Sequence, residues 1–191
     1  MILINQTFAL SVTATSATKP DGDVLEDLHL RLAEKKMLPN QHFVDKGYVH
    51  AEIIAKSQDR HQIDIVGPAF PDTSWSSKDA ERFDHSDFNI DWESKSVLCP
   101  AGEKSRDWGN IPDRHGKPSL RIRFPLPVCR SCLLHAQCTP SAAKVLILRP
   151  EKQSYEALQE NRKRQETPEF RALYAKRAGI EGTVARVGTN L

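Results

Sequence analysis

Short apolar runs alternate with helical stripes of apolar residues over the first third of the chain. A helical stripe is indicated where apolar side chains recur every three or four positions, as at Val24, Leu25, Leu28 and Leu32. Strands that alternate with helices in this way predict an α/β core. The predicted elements are a strand over residues 2–15, a helix over 23–36, a strand over 41–45, a helix over 49–57 and a strand over 62–66.

Between Pro68 and Pro150 the pattern changes. Helical periodicity fades there, and prolines, serines and short β-prone runs such as 86–98 and 120–128 take its place. This sequence pattern predicts a β-rich insertion. It also contains every cysteine of the chain.

Helical patterning returns after Pro150. Thr167-Pro168-Glu169 is a typical helix start, with Thr as N-cap, Pro at the first helical position and Glu favoured by the helix dipole. Two helices are predicted, over 150–165 and 168–186. The chain is therefore divided into the first part of a core over 1–68, an insertion over 69–149 and C-terminal helices over 150–191.

Tyr174, Arg177 and Glu181 form a Y-x2-R-x3-E pattern in the second of these helices. At 3.6 residues per turn the three side chains share one helix face. A carboxylate, a cation and a phenol on one face are suited to holding a metal ion and a phosphate group. The alternative is an ordinary solvated helix with an aromatic anchor.

Asp45 ends the predicted strand over 41–45 and is followed by a turn that contains Gly47. A carboxylate at the C-terminal edge of a strand lies where α/β folds place their ligands. Taken alone, a surface aspartate in a turn is the commoner explanation. Asp45 becomes a candidate site residue through its combination with the Y-x2-R-x3-E pattern.

The cysteines have the spacing of metal ligands. Cys129 and Cys132 form a C-x2-C pair, which on a tight turn lets two thiolates reach one tetrahedral ion. Cys138 follows nearby and Cys99 lies in a second turn, Cys-Pro-Ala-Gly, so the four predict a structural zinc site. His135 is a rival fourth ligand, although so compact a set strains tetrahedral geometry. The alternatives are buried reduced thiols and, least favoured in a cytosolic protein, disulfides.

Charge and hydropathy narrow the function classes. A net charge of +2 and a pI near 8.3 are only mildly basic, less so than is usual for a dedicated DNA-binding domain. The basic run 161–165 is either a phosphate contact or a solvated helix face. No apolar run approaches the roughly 18 residues of a membrane helix, and the start lacks a signal-peptide pattern. The sequence predicts a cytoplasmic protein with no membrane partner.

These features follow one another in a specific order. They are Asp45, Gly47-Tyr48, Ile65-Val66-Gly67-Pro68, Asp91-Trp92, Cys99-Pro-Ala-Gly, Cys129-x2-Cys132-x5-Cys138-Thr139 and Arg177-Ala-Gly-Ile-Glu181-Gly-Thr183. In this order they resemble the DDE-type transposases of bacterial insertion sequences, specifically those with a Y-x2-R-x3-E helix. The resemblance extends from about residue 5 to about residue 184.

The resemblance implies an α/β, ribonuclease-H-like core interrupted by the β-rich, zinc-stapled insertion. Asp45 matches the family's second aspartate and Glu181 its glutamate, while Tyr174 and Arg177 match the accompanying signature residues. In the intact family site, carboxylates hold two Mg²⁺ ions that clamp the attacking and leaving oxygens of a phosphodiester. The implied partner is DNA at the ends of the element, and a homo-oligomer is compatible with the full-length family.

The chain departs from the family pattern at both ends. The family's first aspartate lies on the opening strand of the core, whereas the acidic residues before Asp45 all lie in or beside the predicted helix over 23–36. The family also continues past the glutamate with a long basic helix. We therefore expect a transposase truncated at both ends and inactive as given. The alternatives are a non-catalytic zinc-stapled fragment that binds nucleic acid or protein, and a decayed remnant.

Overall fold

A computed structural model describes residues 2–5, 8–12, 21–113 and 116–177, with side chains described from residue 24 onward. The chain forms two compact units. The first contains Met1–Phe70 and Glu156–Leu191, and the second contains Pro71–Tyr155. Helices and strands occur in the described parts of both, so the α/β prediction is confirmed at this level.

The first unit opens with an antiparallel pair of strands. We predicted one strand over 2–15, and this was wrong, because β1 (Ile2–Asn5) and β2 (Phe8–Val12) are separate strands that pair with each other. The polar run Asn5-Gln6-Thr7 interrupts the apolar pattern at the break between them. Helix α1 (Asp21–Glu34) follows and agrees with its predicted span within two residues at each end.

A parallel strand–helix–strand unit comes next. It consists of β3 (Gln41–Phe43), helix α2 (Ala51–His61) and β4 (Asp64–Val66). The two strands run parallel, with Gln41 opposite Asp64 and Phe43 opposite Val66. Helix α2 ends at His61, and its C-cap Gln62, with a positive φ of 56°, turns the chain into β4. The alternating sequence pattern predicted an α/β core, and the structure adds that the two strands run parallel.

Apolar side chains from α1, β4 and the adjoining loops form the core of the first unit. Leu25 and Ile63 are fully buried, and Ile65 is 2% exposed. Leu158 from the C-terminal part of the chain packs against the same cluster. The other buried members are Val44, Val49 and Ala69.

The second unit is built from antiparallel strands. β5 (Asn89–Asp91) pairs with β6 (Ser96–Leu98), and β8 (Pro118–Arg123) lies between β7 (Asp107–Pro112) and β9 (Val145–Leu148). Their inner faces enclose a core of Phe88, Val97, Leu120, Ile122, Phe124, Leu146 and Leu148. Trp92 and Trp108 pack against this core and lie edge to face with each other, with ring centroids 5.5 Å apart.

One predicted β-prone run ends earlier than expected. We predicted strand over 120–128, but β8 ends at Arg123 and helix α3 (Leu126–Ser131) begins three residues later. Pro125 and Pro127 explain the change, because proline cannot donate to a strand ladder yet fits the start of a helix. A short helix α4 (His135–Cys138) follows.

Two helices close the described part of the chain, α5 (Lys152–Gln165) and α6 (Pro168–Ala175). The predicted start of α6 is confirmed, since the Thr167 side chain accepts a hydrogen bond from the Phe170 backbone at 3.2 Å. Its predicted continuation from residue 178 to 186 lies outside the described residues. None of the helices in the described ranges is long and apolar enough to cross a membrane.

Three histidines cluster in the first unit. His29 and His42 are buried and joined by a hydrogen bond of 2.9 Å between His29 Nε2 and His42 Nδ1. The His61 ring lies 5.5 Å from the His29 ring. Burial and the neighbouring His61 lower the pKa of His29 to about 4, although Glu26 opposes the shift. Burial and the neighbouring His29 lower the pKa of His42 to about 3.

This cluster predicts acid sensitivity. The folded state favours neutral His29 and His42, whereas the unfolded chain titrates near the ordinary value of 6.5. Their contribution to stability is therefore complete above about pH 6.5 and falls as the pH drops from there toward about 4. We expect the urea midpoint to decrease between about pH 7.5 and about pH 5.

The matched variants are His42→Gln and His50→Gln. His42→Gln should flatten the pH dependence of the urea midpoint, because it removes one of the two buried titrating groups. His50→Gln, at the partly exposed N-cap of α2, should leave the slope of the wild type. An equal slope in the wild type and in His42→Gln would contradict the assignment.

Candidate functional site

Asp45 lies just past the C-terminal end of β3. The strand ends at Phe43, and Asp45 precedes a single 3₁₀ turn, Lys46–Tyr48, whose Tyr48 backbone N–H donates to the Asp45 carbonyl oxygen at 2.9 Å. The carboxylate is 61% exposed. Asp45 therefore presents an accessible carboxylate at the edge of the parallel strand pair, where α/β folds place ligands.

The end of α6 contacts this segment directly. The Tyr174 hydroxyl donates to the Val44 carbonyl oxygen at 3.3 Å, next to Asp45 in the chain. Arg177 donates from Nη1 to the Tyr174 hydroxyl at 3.0 Å and forms an ion pair with Asp45 Oδ1 at 2.8 Å. Tyr174 also stacks on the buried Phe170 ring at 5.9 Å. Two residues of the Y-x2-R-x3-E pattern are thereby brought to the candidate aspartate.

Glu181, the third residue of the pattern, lies outside the described residues. Helix α6 ends at Ala175, and Arg177, the last described residue, is again helical after a turn at Lys176. The close contact of Arg177 with Tyr174 nevertheless agrees with the expectation that these two side chains lie on one side. The convergence of Asp45 and Glu181 stays a prediction.

Gly67 allows the backbone to pack tightly beside the Asp45 segment. A Cβ atom at this position would lie 2.6 Å from the Val44 carbonyl oxygen and 2.8 Å from Val49 Cγ2. The Val44 backbone N–H donates to the Val66 carbonyl oxygen at 3.0 Å, which extends the pairing of β3 with β4 by one residue. Only glycine fits this approach, so Gly67 fixes the position of Val44 and, with it, the chain entering Asp45.

The basic run 161–165 holds β4 and the loop after it. Arg164 donates to both carboxylate oxygens of Asp64, at 2.5 and 2.8 Å. The buried Asn161 donates to the Gly67 carbonyl oxygen at 3.1 Å, and Gln165 accepts from the Ala69 backbone N–H at 2.8 Å. Burial alone would raise the pKa of Asp64, but its bonds to Arg164 outweigh burial and lower it. For these residues the structure favours contacts within the protein over a contact with a phosphate group.

The sequence interpretation missed Asn161 and Gln165. Their signal was spacing, since two amide side chains four positions apart share one helix face and can both hydrogen-bond to a passing backbone. In the sequence, the positive charges at 162–164 drew attention away from this pair of amide side chains.

The four cysteines, all of them described, are free thiols that line one cavity of the second unit. The cavity has a volume of about 30 Å³. Cys99 lies in a turn closed by a hydrogen bond from the Gly102 backbone to its carbonyl oxygen at 2.8 Å, and Gly102 has the positive φ of 82° that the turn requires. Cys129 and Cys132 lie at the end of α3, and Cys138 ends α4.

Nitrogen groups also line the cysteine cavity. His135 Nε2 is buried and has no hydrogen-bond partner among the described residues, and Lys144 is buried. Burial raises the pKa of the Cys138 thiol, Lys144 opposes that shift, and the other three thiols reinforce it. Within the described ranges, however, no three His, Cys, Asp or Glu side chains are arranged as a metal-binding group. The thiols share a cavity without forming a coordination sphere.

Comparison with known families identifies the C-terminal half of the chain. Residues 98–191 match the family model described as a transposase DDE domain. Over these residues the chain is similar to DDE-type transposases. No similar curated protein and no similar solved structure was found.

The transposase match covers some of the candidate site but not all of it. Tyr174, Arg177 and the four cysteines fall within the matched residues, as does Glu181. Asp45 lies before them, so its connection to the transposase domain rests on the contacts of Tyr174 and Arg177 with residues 44 and 45.

We predict that Gly67→Ala destabilises the first unit. The added Cβ would collide with the Val44 carbonyl oxygen, so backbone must move. The expected loss in the free energy of unfolding is about 1–3 kcal/mol, measured by urea denaturation. The control is Gly109→Ala, where no atom lies within 4 Å of the added Cβ. Equal urea midpoints for the two variants would show that the Val44 segment moves aside freely.

Proposed function

We propose that the chain forms part of the catalytic domain of a DNA transposase, with Asp45 and Glu181 as its metal-binding carboxylates and Tyr174 and Arg177 as their supporting residues. The observation that carries the proposal is the contact of Arg177 and Tyr174 with the Asp45 segment, at 2.8 and 3.3 Å. The transposase match over residues 98–191 supports the reaction class. The substrate would be DNA at the ends of the element, and the assembly a homo-oligomer.

The parallel β3–α2–β4 unit supports a partial ribonuclease-H-like core. An aspartate that follows one strand of a parallel pair is positioned as a ligand-binding residue of such a fold would be. The antiparallel second unit, Pro71–Tyr155, would then be the insertion, close to the predicted span of 69–149. The two C-terminal helices would return the chain to the core with the glutamate.

Magnesium is the cofactor that DDE transposases generally use. Asp45 fits it, because Mg²⁺ prefers carboxylate oxygens and this carboxylate is 61% exposed. When bound, two Mg²⁺ ions would activate the nucleophile and neutralise the charge that develops on the phosphodiester. Asp45 and Glu181 would hold the ions.

Arg177 has a definite task in this arrangement. Its ion pair fixes the orientation of the Asp45 carboxylate, and the Tyr174 hydroxyl in turn fixes Arg177. Before metal binding, the guanidinium supplies the positive charge that Asp45 faces. With metal and DNA bound, the same cation would be close enough to contact a phosphate oxygen.

A metal-binding measurement tests the candidate carboxylate. Mn²⁺ can replace Mg²⁺ and be followed by electron paramagnetic resonance of the free ion. We expect Asp45→Asn to weaken Mn²⁺ binding about tenfold or more, since one anionic ligand is lost. Asp59→Asn, an exposed aspartate of α2, should bind as the wild type does. Equal Mn²⁺ affinity in all three proteins would remove Asp45 from the site.

DNA assays separate this function from its alternatives. Two carboxylates are fewer than the three of the family's metal site, so we propose that the chain as given binds DNA weakly without cutting it. Binding to a duplex should fall steeply as salt is raised. Mg²⁺-dependent cleavage that is lost in Asp45→Asn would contradict the proposed inactivity but support the transposase assignment. Binding that is unaffected by salt would favour a protein-binding fragment.

We also propose that Cys99, Cys129, Cys132 and Cys138 hold a structural zinc ion. Their shared cavity supports this, because a space of about 30 Å³ accepts an object the size of a water molecule. Small rotations of the thiols would be needed to complete the tetrahedron, since they are not arranged as a metal-binding group. All four positions of such a site would be filled, so the ion would stabilise the unit rather than take part in the reaction.

Zinc analysis of the reduced, metal-replete protein should find about one ion per chain, and Cys132→Ser should release it. The fourth ligand is decided by comparing Cys99→Ser with His135→Ala. We expect the Cys99 variant to lose zinc and the His135 variant to retain it. The reverse result would make His135 the ligand, and a zinc content near zero in the wild type would contradict the site itself.

A further inference from the structure

Lys144 is a buried cation at the cysteine cavity. It is 8% exposed and directly precedes β9. Its ammonium group donates to the Cys138 carbonyl oxygen at 2.9 Å and lies 5.1 Å from the centroid of the Phe88 ring. Among the described residues it forms no salt bridge with a carboxylate. A full charge is thus held by a neutral oxygen and an aromatic face.

Burial of a lysine side chain disfavours its charged form, because the ammonium group loses its hydration. Within the described ranges, the ammonium group donates to the carbonyl oxygen of Cys138 and not to a carboxylate. An ammonium ion in such a place is explained if negative charge resides in the cavity, because paired charges tolerate burial better than single ones.

The cavity acquires that charge when a metal ion binds. Zinc coordinates cysteines as thiolates, and four thiolates around one Zn²⁺ leave two excess negative charges. Lys144 and the four cysteines line the same cavity. Groups just outside the coordination sphere commonly change metal affinity 10- to 100-fold.

We propose that Lys144 is a positioning residue of the cysteine site, whose ammonium compensates the thiolate charge and thereby strengthens zinc binding. The inference rests on the proposed zinc site and deepens it. It also explains why a buried position next to β9 carries lysine rather than an apolar residue of similar length.

The test compares Lys144→Met, Lys144→Arg and Lys117→Met in the full chain. Methionine removes the charge and keeps much of the side-chain volume, while arginine keeps the charge. Lys117 is an exposed lysine of the same unit, so its variant makes the same change in net charge away from the cavity. Zinc affinity is measured by competition with a chromophoric chelator under reducing conditions, and the stability of the metal-free protein by urea denaturation.

We expect Lys144→Met to lower zinc affinity about 10-fold or more, with Lys144→Arg and Lys117→Met close to the wild type. Metal-free Lys144→Met should be as stable as the wild type or more stable, since it no longer buries a charge. A merely structural lysine would instead lower metal-free stability when replaced.

Two results would overturn the inference. One is a zinc affinity of Lys144→Met within about twofold of the wild type, since the charge would then have no effect. The other is loss of affinity together with loss of metal-free stability. If the wild-type protein itself binds no zinc, the proposed zinc site fails first, and the titration of the wild type alone reveals it.

Discussion

The close approach of Gly67 to Val44 is the constraint on which the first unit depends. It places the ends of the two parallel strands together, and the Val44 carbonyl oxygen then serves as the acceptor for Tyr174. On the other side, the Gly67 carbonyl oxygen accepts from the buried Asn161. One tight backbone contact therefore connects the strand pair to both C-terminal helices. A larger residue at position 67 would move the Val44 and Gly67 carbonyl oxygens away from their donors, Tyr174 and Asn161.

The arrangement around Asp45 is electrostatic as well as steric. The carboxylate stands at an exposed edge, where water would ordinarily solvate it, and an isolated surface ion pair there would contribute about 0–1 kcal/mol. Arg177 is less exposed than its partner, at 24% against 61%, and is held at Nη1 by the Tyr174 hydroxyl. The pair therefore matters more for orientation than for stability. An oriented, accessible carboxylate suits a metal-binding role.

The second unit depends on packing between antiparallel strands and on the turns that carry its thiols. Phe88, Val97 and Ile122 form its centre, and Cys99, Cys129 and Cys138 pack against the same cluster. The cysteines are thus attached to a rigid core on one side and open to a small cavity on the other. This combination favours a site that stabilises the unit.

Local chemistry was largely predictable from the sequence. The apolar stripe of α1, the Thr167 cap and the alternation of strands with helices follow from periodicity and from residue types that act within a few positions. The exceptions were also local in origin. Asn5-Gln6-Thr7 divides the first predicted strand, and Pro125 and Pro127 convert the end of another run into a helix.

Long-range partners were not predictable in the same way. The sequence placed Arg177 and Tyr174 on one side of the chain, but only the tertiary structure showed that they contact Asp45. The tertiary structure likewise showed that Arg164 pairs with Asp64, although a basic run in a sequence could equally well face DNA. The physical reason is that periodicity fixes which residues share a face, whereas the group opposite that face depends on how distant elements pack. The sequence by itself therefore determined the element types and the candidate chemical groups, and the fold decided which carboxylate each cation meets.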